Sequence, residues 1–378
     1  MPTRQRVIVA MIDGLDPGYA TPDAMPELNR LGDTGTSTLV DAVAPTVTNA
    51  NNAGISCAAW PSEHGITGNY YYDPATGEED YMENAELLLR PTLLTQVADA
   101  GGKAALLTAK RKTISLLGTG TTLAVAAEEP PAAFVDRYGP PPGIYSAGIN
   151  HWLWTVAADL LRTRPDLDLL YVHTTDYPMH AWAPGTPPSN DHLAELDALI
   201  GEAVHAAPDA AFFATADHGM NAKSLVYDLG QTLAKRDAPI RRALSAEKDK
   251  YVRHHRTFGG TAWVWLDDPR DEGRVTDLLG ALPGVERVLT RGDAARTFRL
   301  HPDRIGDLVV LGDEHTVFGD LDPGNDHEAL PAGYRSHGGL HEVRVPLFAC
   351  NNESLPYLAT PRHNKDLLTP LLNGWLAS

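Results

Sequence analysis

Cysteine is scarce in this chain: Cys57 and Cys350 are the only two in 378 residues. Two thiols outside any CxxC spacing exclude a zinc-ribbon site and a disulfide framework, and both read as inert core residues. Long apolar runs are absent too. No 18-residue apolar stretch occurs, and the N-terminal run over residues 7–12 stops at Asp13. Six residues are too few for a signal-peptide core or a membrane span, so the expectation is a cytoplasmic protein with no membrane partner. Positive charge is in deficit: 31 Lys plus Arg against 49 Asp plus Glu give a net charge of −18. A field of that sign repels a phosphate backbone and argues against nucleic acid as a partner. An anionic small substrate would need a local cluster of cations. Repeats and low-complexity tracts are missing, and 43% hydrophobic with 21% charged residues is ordinary globular usage, so wholesale disorder is excluded.

Several short apolar runs end abruptly at a polar or small residue. RVIVAMIDG, KAALLTAK, DLDLLYVHTTD and AAFFATADHG each carry four to eight residues of buried-strand character. Amphipathic patterns lie between them: MPELNRLGDTG, RPTLLTQVADAGG and HLAELDALIGEAVHAA. Strands alternating with helices predict an α/β fold, a mostly parallel central sheet with helices on both faces. Ligands in such sheets bind beyond the carboxyl ends of the strands, where Asp13, Asp176, Asp217 and His218 would gather. Residues 241–320 read differently. TAWVWLDD, GVERVLTRG and RIGDLVVLGD suggest strands and EGRVTDLLGAL a helix, a smaller α+β cap inserted into a core formed by residues 1–240 and 321–378.

Four segments carry the chemistry: IDG with Asp13, APTVTNANNAG with Thr48, TDYPMH with Asp176 and His180, and TADHGM with Asp217 and His218. The segment SHGG, with His337, joins the last of these near the end of the chain. Imidazole and carboxylate ligands suit zinc and other divalent first-row metals. Asp13, Asp217 and His218 would serve one ion, and Asp176, His180 and His337 a second. Two such ions clamp the attacking and leaving groups in displacement at phosphorus, and Thr48 would supply the nucleophile. Each residue also has a plainer reading. Asp13 and Asp176 are plausible helix caps, the latter before a helix opened by Pro178. Thr48 and Asn69 are ordinary turn residues, and Lys110 and Lys112 a solvated basic run. Capping leaves His180 unexplained, whereas metal ligation accounts for both Asp176 and His180. His173 reads as a structural strand-end histidine, and His254 and His255 fall away from the motif series.

In this order, IDG, PTxTNxNN, TDYxxH, ADHGM and SHGG, the chain resembles the alkaline phosphatase superfamily and within it the nucleotide pyrophosphatase/phosphodiesterase-like branch. It is most similar to the group that hydrolyses phosphonoacetate. The motifs run from residue 13 to residue 346. The resemblance implies a di-zinc site, with Asp13, Thr48, Asp217 and His218 around one zinc and Asp176, His180 and His337 around the other. Thr48 would form a phosphothreonine intermediate. Asn69, in GNYYYD, would contact a phosphonyl oxygen, and Lys110 and Lys112, in LLTAKRK, would hold the substrate carboxylate. If the strand end stays extended, those two lysines point to one side. Arg111 between them and His341 after His337 have no place in the pattern. The implied substrate is a small phosphonate or phosphate ester. The implied activity is cleavage of the carbon–phosphorus bond of phosphonoacetate. A phosphodiesterase or nucleotide pyrophosphatase with the same metal pair, and a non-catalytic metal- or anion-binding protein on this fold, are the competing readings. A homodimer is compatible with the sequence.

Overall fold

The computed structural model describes residues 4–376 except 239, 252, 254 and 255. Its central sheet has seven strands: β1 (Val7–Met11), β2 (Thr36–Asp41), β3 (Ala104–Thr108), β4 (Leu123–Ala126), β5 (Leu169–His173), β6 (Ala211–Thr215) and, last in the chain, β11 (Arg344–Cys350). Their order is β2-β11-β6-β1-β5-β3-β4. The run from β6 to β4 is parallel, and β11 pairs antiparallel with both β6 and β2. Every residue of β1, β3, β5 and β6 is buried. Burial of alternate side chains on both faces means that both faces are covered, which is why these strands read as continuous apolar runs. The helices of the core include α1 (Pro26–Asp33), α2 (Thr48–Cys57), α3 (Leu93–Asp99), α4 (Arg111–Leu117), α5 (Gly148–Thr163), α6 (Tyr177–Ala181) and α7 (Pro187–Ala206). Among the described residues no helix is long and apolar enough to cross a membrane.

Register sets the site. Met11 lies opposite both His173 and Thr215, and Thr108 lies opposite His173. The carboxyl ends of β3, β5, β1 and β6 are therefore level, and the residues that follow them emerge along one edge.

The inserted region forms a four-stranded antiparallel sheet of β7 (Ile240–Ser245), β8 (Thr261–Leu266), β9 (Val285–Thr290) and β10 (Leu308–Gly312), in the order β7-β8-β10-β9. Two helices accompany it, α8 (Glu272–Gly280) and α9 (Arg291–Phe298). Strand β7 and helix α9 have no clear signal in the sequence: IRRALS alternates weakly, and RGDAARTF buries only Ala294. One apolar cluster joins Leu244, Trp263, Trp265 and Val309 of the insert to Val47 and Ala50. The insert thus packs against the start of α2, on either side of Thr48.

Candidate metal centre and active site

Thr48 is the first residue of α2, entered from an extended Val47. All ten residues of this helix are buried, asparagines included, and each asparagine is occupied. Asn51 donates to the carbonyls of Val43, Pro45 and Val47 and accepts from the Val43 amide, which fixes the loop that delivers Thr48. The Asn49 amide donates to Asn69 Oδ1 at 3.0 Å. That contact leaves Asn69 Nδ2 buried, without a hydrogen-bond partner among the described residues. An unused amide donor beside a helix N-terminus is suited to an anionic oxygen.

Asp13 follows β1 and precedes no helix. Its amide donates to Thr174 Oγ1, which ties the β1 loop to the β5 loop. Asp217 Oδ1 accepts from the amides of Gly14 and His218, tying in the β6 loop. Gly14 is required here: its φ is +73°, and a Cβ would stand 3.1 Å from Asp176 Cβ. Asp176 occupies the N-cap position of α6, yet its side chain makes no capping bond. It faces His180 Nε2 at 2.8 Å and Lys110 Nζ at 3.7 Å instead. The capping readings of Asp13 and Asp176 are thereby excluded. Asn150 of α5 holds this loop through paired hydrogen bonds to the backbone of Thr175.

The three motif histidines share one device. Nδ1 donates to a backbone carbonyl in each: His180 to Arg335 at 2.8 Å, His218 to Gly219 at 2.9 Å and His337 to Thr46 at 2.8 Å. A carbonyl only accepts, so Nδ1 carries a proton in each, which leaves Nε2 of His218 and of His337 free to present a lone pair to the cluster. His180 Nε2 faces Asp176 Oδ2 at 2.8 Å across the place of a proton or a cation. His218 Nε2 stands 3.5 Å from Asp13 Oδ1, 3.4 Å from Asp217 Oδ2 and 3.5 Å from Thr48 Oγ1. His337 Nε2 stands 3.6 Å from Asp176 Oδ2. Donors about 2.0–2.2 Å from one tetrahedral ion are about 3.3–3.6 Å apart, so these edges match a zinc-sized site. Asp13, Asp217 and His218 can offer ligand atoms within 4.8 Å of one another, and so can Asp176, His218 and His337. His218 stands between the two groups, its ring stacked on His337 with centroids 3.5 Å apart.

Electrostatics agree with a cation requirement. Asp217 Oδ2 and both oxygens of Asp13 are buried and make no close hydrogen bond among the described residues, His173 Nε2 standing off at 3.4 Å from Asp13 Oδ2. Burial, then the charges of Asp176 and Asp217, pushes Asp13 up to about 7. Burial pushes Asp217 up to about 6. Burial, then His218, pushes His337 down to about 3. Acids raised and bases lowered mark a pocket that disfavours ionised protein groups unless a cation balances them. The donor set therefore fits the metals implied by the sequence.

Two expectations for the lysine pair need amendment. Lys110 and Lys112 do not extend from a strand: β3 ends at Thr108, and α4 begins at Arg111. The helical turn still brings both ammonium groups to one place, over the Tyr251 ring at 4.9 and 5.5 Å. Both lysines are buried, so the solvated-run reading fails. Burial works against a charge on Lys110, but Asp176, Asp13 and Asp249 outweigh it and hold its ammonium above the usual lysine range. His341 lies outside the cluster and pairs with Glu286 of β9 at 2.7 Å. Arg111 turns outward to Glu129. His254 and His255 lie outside the described residues.

His173, read from the sequence as a structural strand-end histidine, ends β5 and lies against the cluster. It is fully buried, with Nε2 3.4 Å from Asp13 Oδ2. Its Nδ1 accepts from Asn52 Nδ2 at 3.1 Å, while Asn52 Oδ1 accepts from the Tyr171 hydroxyl. The chain of partners puts the His173 proton on Nε2, aimed at Asp13. The available signal was position: the last residue of a buried strand beside another motif strand. Sequence reasoning missed Glu247 of the insert; its carboxylate reaches within 3.6 Å of His337 Nδ1.

Fold and cluster together define a metallohydrolase of the alkaline phosphatase-like α/β class. The Type I phosphodiesterase / nucleotide pyrophosphatase family profile matches residues 7–338, and the chain belongs to that family. It is similar to the phosphonoacetate hydrolase of Sinorhizobium meliloti 1021 solved with phosphonoacetate: 33% identity, TM-score 0.86, covering 98% of this chain and 96% of that one. Murine ectonucleotide pyrophosphatase / phosphodiesterase 5 shares the fold at 16% identity and TM-score 0.69, covering 99% of this chain and 95% of that one. An uncharacterized pyrophosphatase/phosphodiesterase of Schizosaccharomyces pombe is 27% identical over 213 residues, 52% of this chain and 40% of that relative. The matched region thus spans well under half of that curated relative.

Proposed function

We propose that this protein hydrolyses the carbon–phosphorus bond of phosphonoacetate, giving acetate and phosphate. Thr48, Asp13, Asp217 and His218 would hold one divalent cation and Asp176, His180 and His337 a second, with zinc favoured by the ligand types. Cations held there would acidify the Thr48 hydroxyl and offset charge on the phosphonyl oxygens. Thr48 gives up its hydroxyl proton to solvent, and its Oγ1 bonds to phosphorus as the carbon–phosphorus bond breaks. The departing carbon keeps the electron pair, spreads it into its carboxylate and takes a proton from solvent. Water then cleaves the phosphothreonine ester, releasing phosphate and restoring the hydroxyl. Asn69 Nδ2 and the N-terminus of α2 face the phosphonyl oxygens. Lys110 and Lys112 neutralise charge growing on the carboxylate, which favours the transition state over the bound substrate.

The observation that carries this reading is the burial of two ammonium groups at the edge of the acidic cluster. A phosphodiester offers them no carboxylate. Similarity to the Sinorhizobium meliloti phosphonoacetate hydrolase along nearly the whole chain supports it. The test is phosphate release from phosphonoacetate by zinc-loaded protein. Thr48→Ala should lower turnover on the order of 10⁴-fold while zinc content stays near that of the parent. No release above a metal-free control would remove the reading. The family match favours a second reading, a phosphodiesterase using the same residues. Faster turnover of a nitrophenyl phosphodiester than of phosphonoacetate, indifferent to Lys112→Gln, would select it.

A further inference from the structure

We propose that Asp249, on the insert loop between β7 and β8, is a positioning residue that lets the site select carboxylate-bearing substrates by holding the Lys112 ammonium beside Lys110. The proposal rests on the reading that the lysine pair meets the substrate carboxylate.

Asp249 is buried and divides its oxygens between two tasks. Oδ2 contacts Lys112 Nζ. Oδ1 accepts from the backbone amides of Lys250 at 2.6 Å and Tyr251 at 3.3 Å, which folds the loop around its own carboxylate. The loop is anchored again one step further on. The Tyr251 hydroxyl donates to Glu128 at 2.9 Å, and Glu128 also accepts from the Arg111 amide in the first turn of α4. The turn that carries Lys112 and the loop that carries Asp249 are therefore clasped together through Glu128 and Tyr251.

The chemistry of a lysine makes this clasp consequential. Its ammonium rides on a four-carbon stem with many rotamers, and a buried ammonium without a counter-charge tends to lose its proton or turn away. Asp249 engages one of three N–H donors and fixes where the ammonium sits, which leaves two donors for a ligand. The first side of the lysine site comes from the core and the second from the insert. Substrate class then depends on the insert through a named contact, the one between Asp249 and Lys112.

The test measures binding and needs no turnover. Zinc-loaded Thr48→Ala protein is titrated calorimetrically with phosphonoacetate and with methylphosphonate, which lacks the carboxylate. The ratio of the two affinities is the readout. Asp249→Asn should lower that ratio about tenfold or more, equivalent to about 1.4 kcal/mol, with methylphosphonate affinity and zinc content unchanged. In a Lys112→Gln background the same change should cost nothing further, because Asp249 acts through Lys112. The double variant leaves no lone buried charge, so it remains informative if Asp249→Asn alone fails to fold; a retained carboxylate preference there would overturn the proposal. Equal loss for both ligands, or an equal cost with and without Lys112, would overturn it as well. Failure of the hydrolase reading is seen separately, as absence of phosphate release by the Thr48 enzyme.

Discussion

His173 shows how a side chain without a motif comes to stand beside a candidate metal cluster. It touches Asp13 from one side while Asn52 and Thr113 hold its other nitrogen. Partners of this kind fix the orientation of a ligand and raise its basicity. His173→Phe should therefore keep the fold, since the site is a closed strand end, but weaken zinc binding about 10–100-fold. Competition with a chromophoric chelator measures this; unchanged affinity would reduce His173 to a packing residue. Asp13, Asp176 and Asp217 stand out in the sequence because each closely follows an apolar strand with a group that is costly to bury without a partner. His173 and Asp249 do not. A strand-end histidine is ordinary in isolation, and the partner of Lys112 lies 137 residues away in the sequence, a pairing that only the folded chain reveals.

Among the elements, buried parallel strands were the most legible, because an apolar run that stops at Asp or His marks both a strand and its carboxyl end. Helix α4 was hidden: it has seven residues and no side-chain cap, and it opens on a basic run that opposes the helix dipole. Its start is held instead by Glu128, from beyond β4. The glycines of SHGG have a comparable tertiary cause. Gly338 adopts φ +100°, and the Gly260 amide donates to the His337 carbonyl at 2.9 Å. A Cβ on Gly260 would stand 2.7 Å from Gly339 N and Cα. The start of β8 thus lies backbone against backbone on the loop that aims His337. Gly260→Ala should cost about 1–3 kcal/mol of stability through overpacking and weaken metal binding by displacing His337. Gly273→Ala, where a Cβ meets nothing within 4 Å, is the control. Denaturant midpoints and zinc titrations of the two variants should diverge; equal behaviour would mean that the loop yields without moving His337.

For the molecule as a whole, the −18 charge foretold that any anion site must be local, and the buried lysine pair fits that requirement. What the sequence could not convey is how tightly core and insert are joined. Ser62 N donates to the Arg299 carbonyl and Thr67 Oγ1 to the Arg304 carbonyl, each at 2.7 Å, while Arg304 Nη1 donates to the Gly65 carbonyl at 2.8 Å. His64 is buried at this seam, its Nδ1 accepting from the Ile66 amide at 3.1 Å. Burial, then the charge of Arg304, pushes His64 down to about 3. In the unfolded chain a histidine titrates near about 6.5. Between those values the unfolded state binds a proton that the folded state refuses, so stability rises with pH in this window and levels off above it. On acidification from pH 7.5 to 4.5 His64 alone should remove about 2–3 kcal/mol. His192, pushed down to about 3 by burial and then by His151, adds to the total with the same sign. The contribution of His64 is isolated by His64→Asn, whose carbonyl can still accept from Ile66. The variant should be less stable than the parent at pH 7.5 but lose less on acidification, so that urea midpoints converge toward pH 4.5. A parallel pair of pH profiles would show that His64 takes up its proton in the folded state, and that the seam between core and insert accommodates the charge.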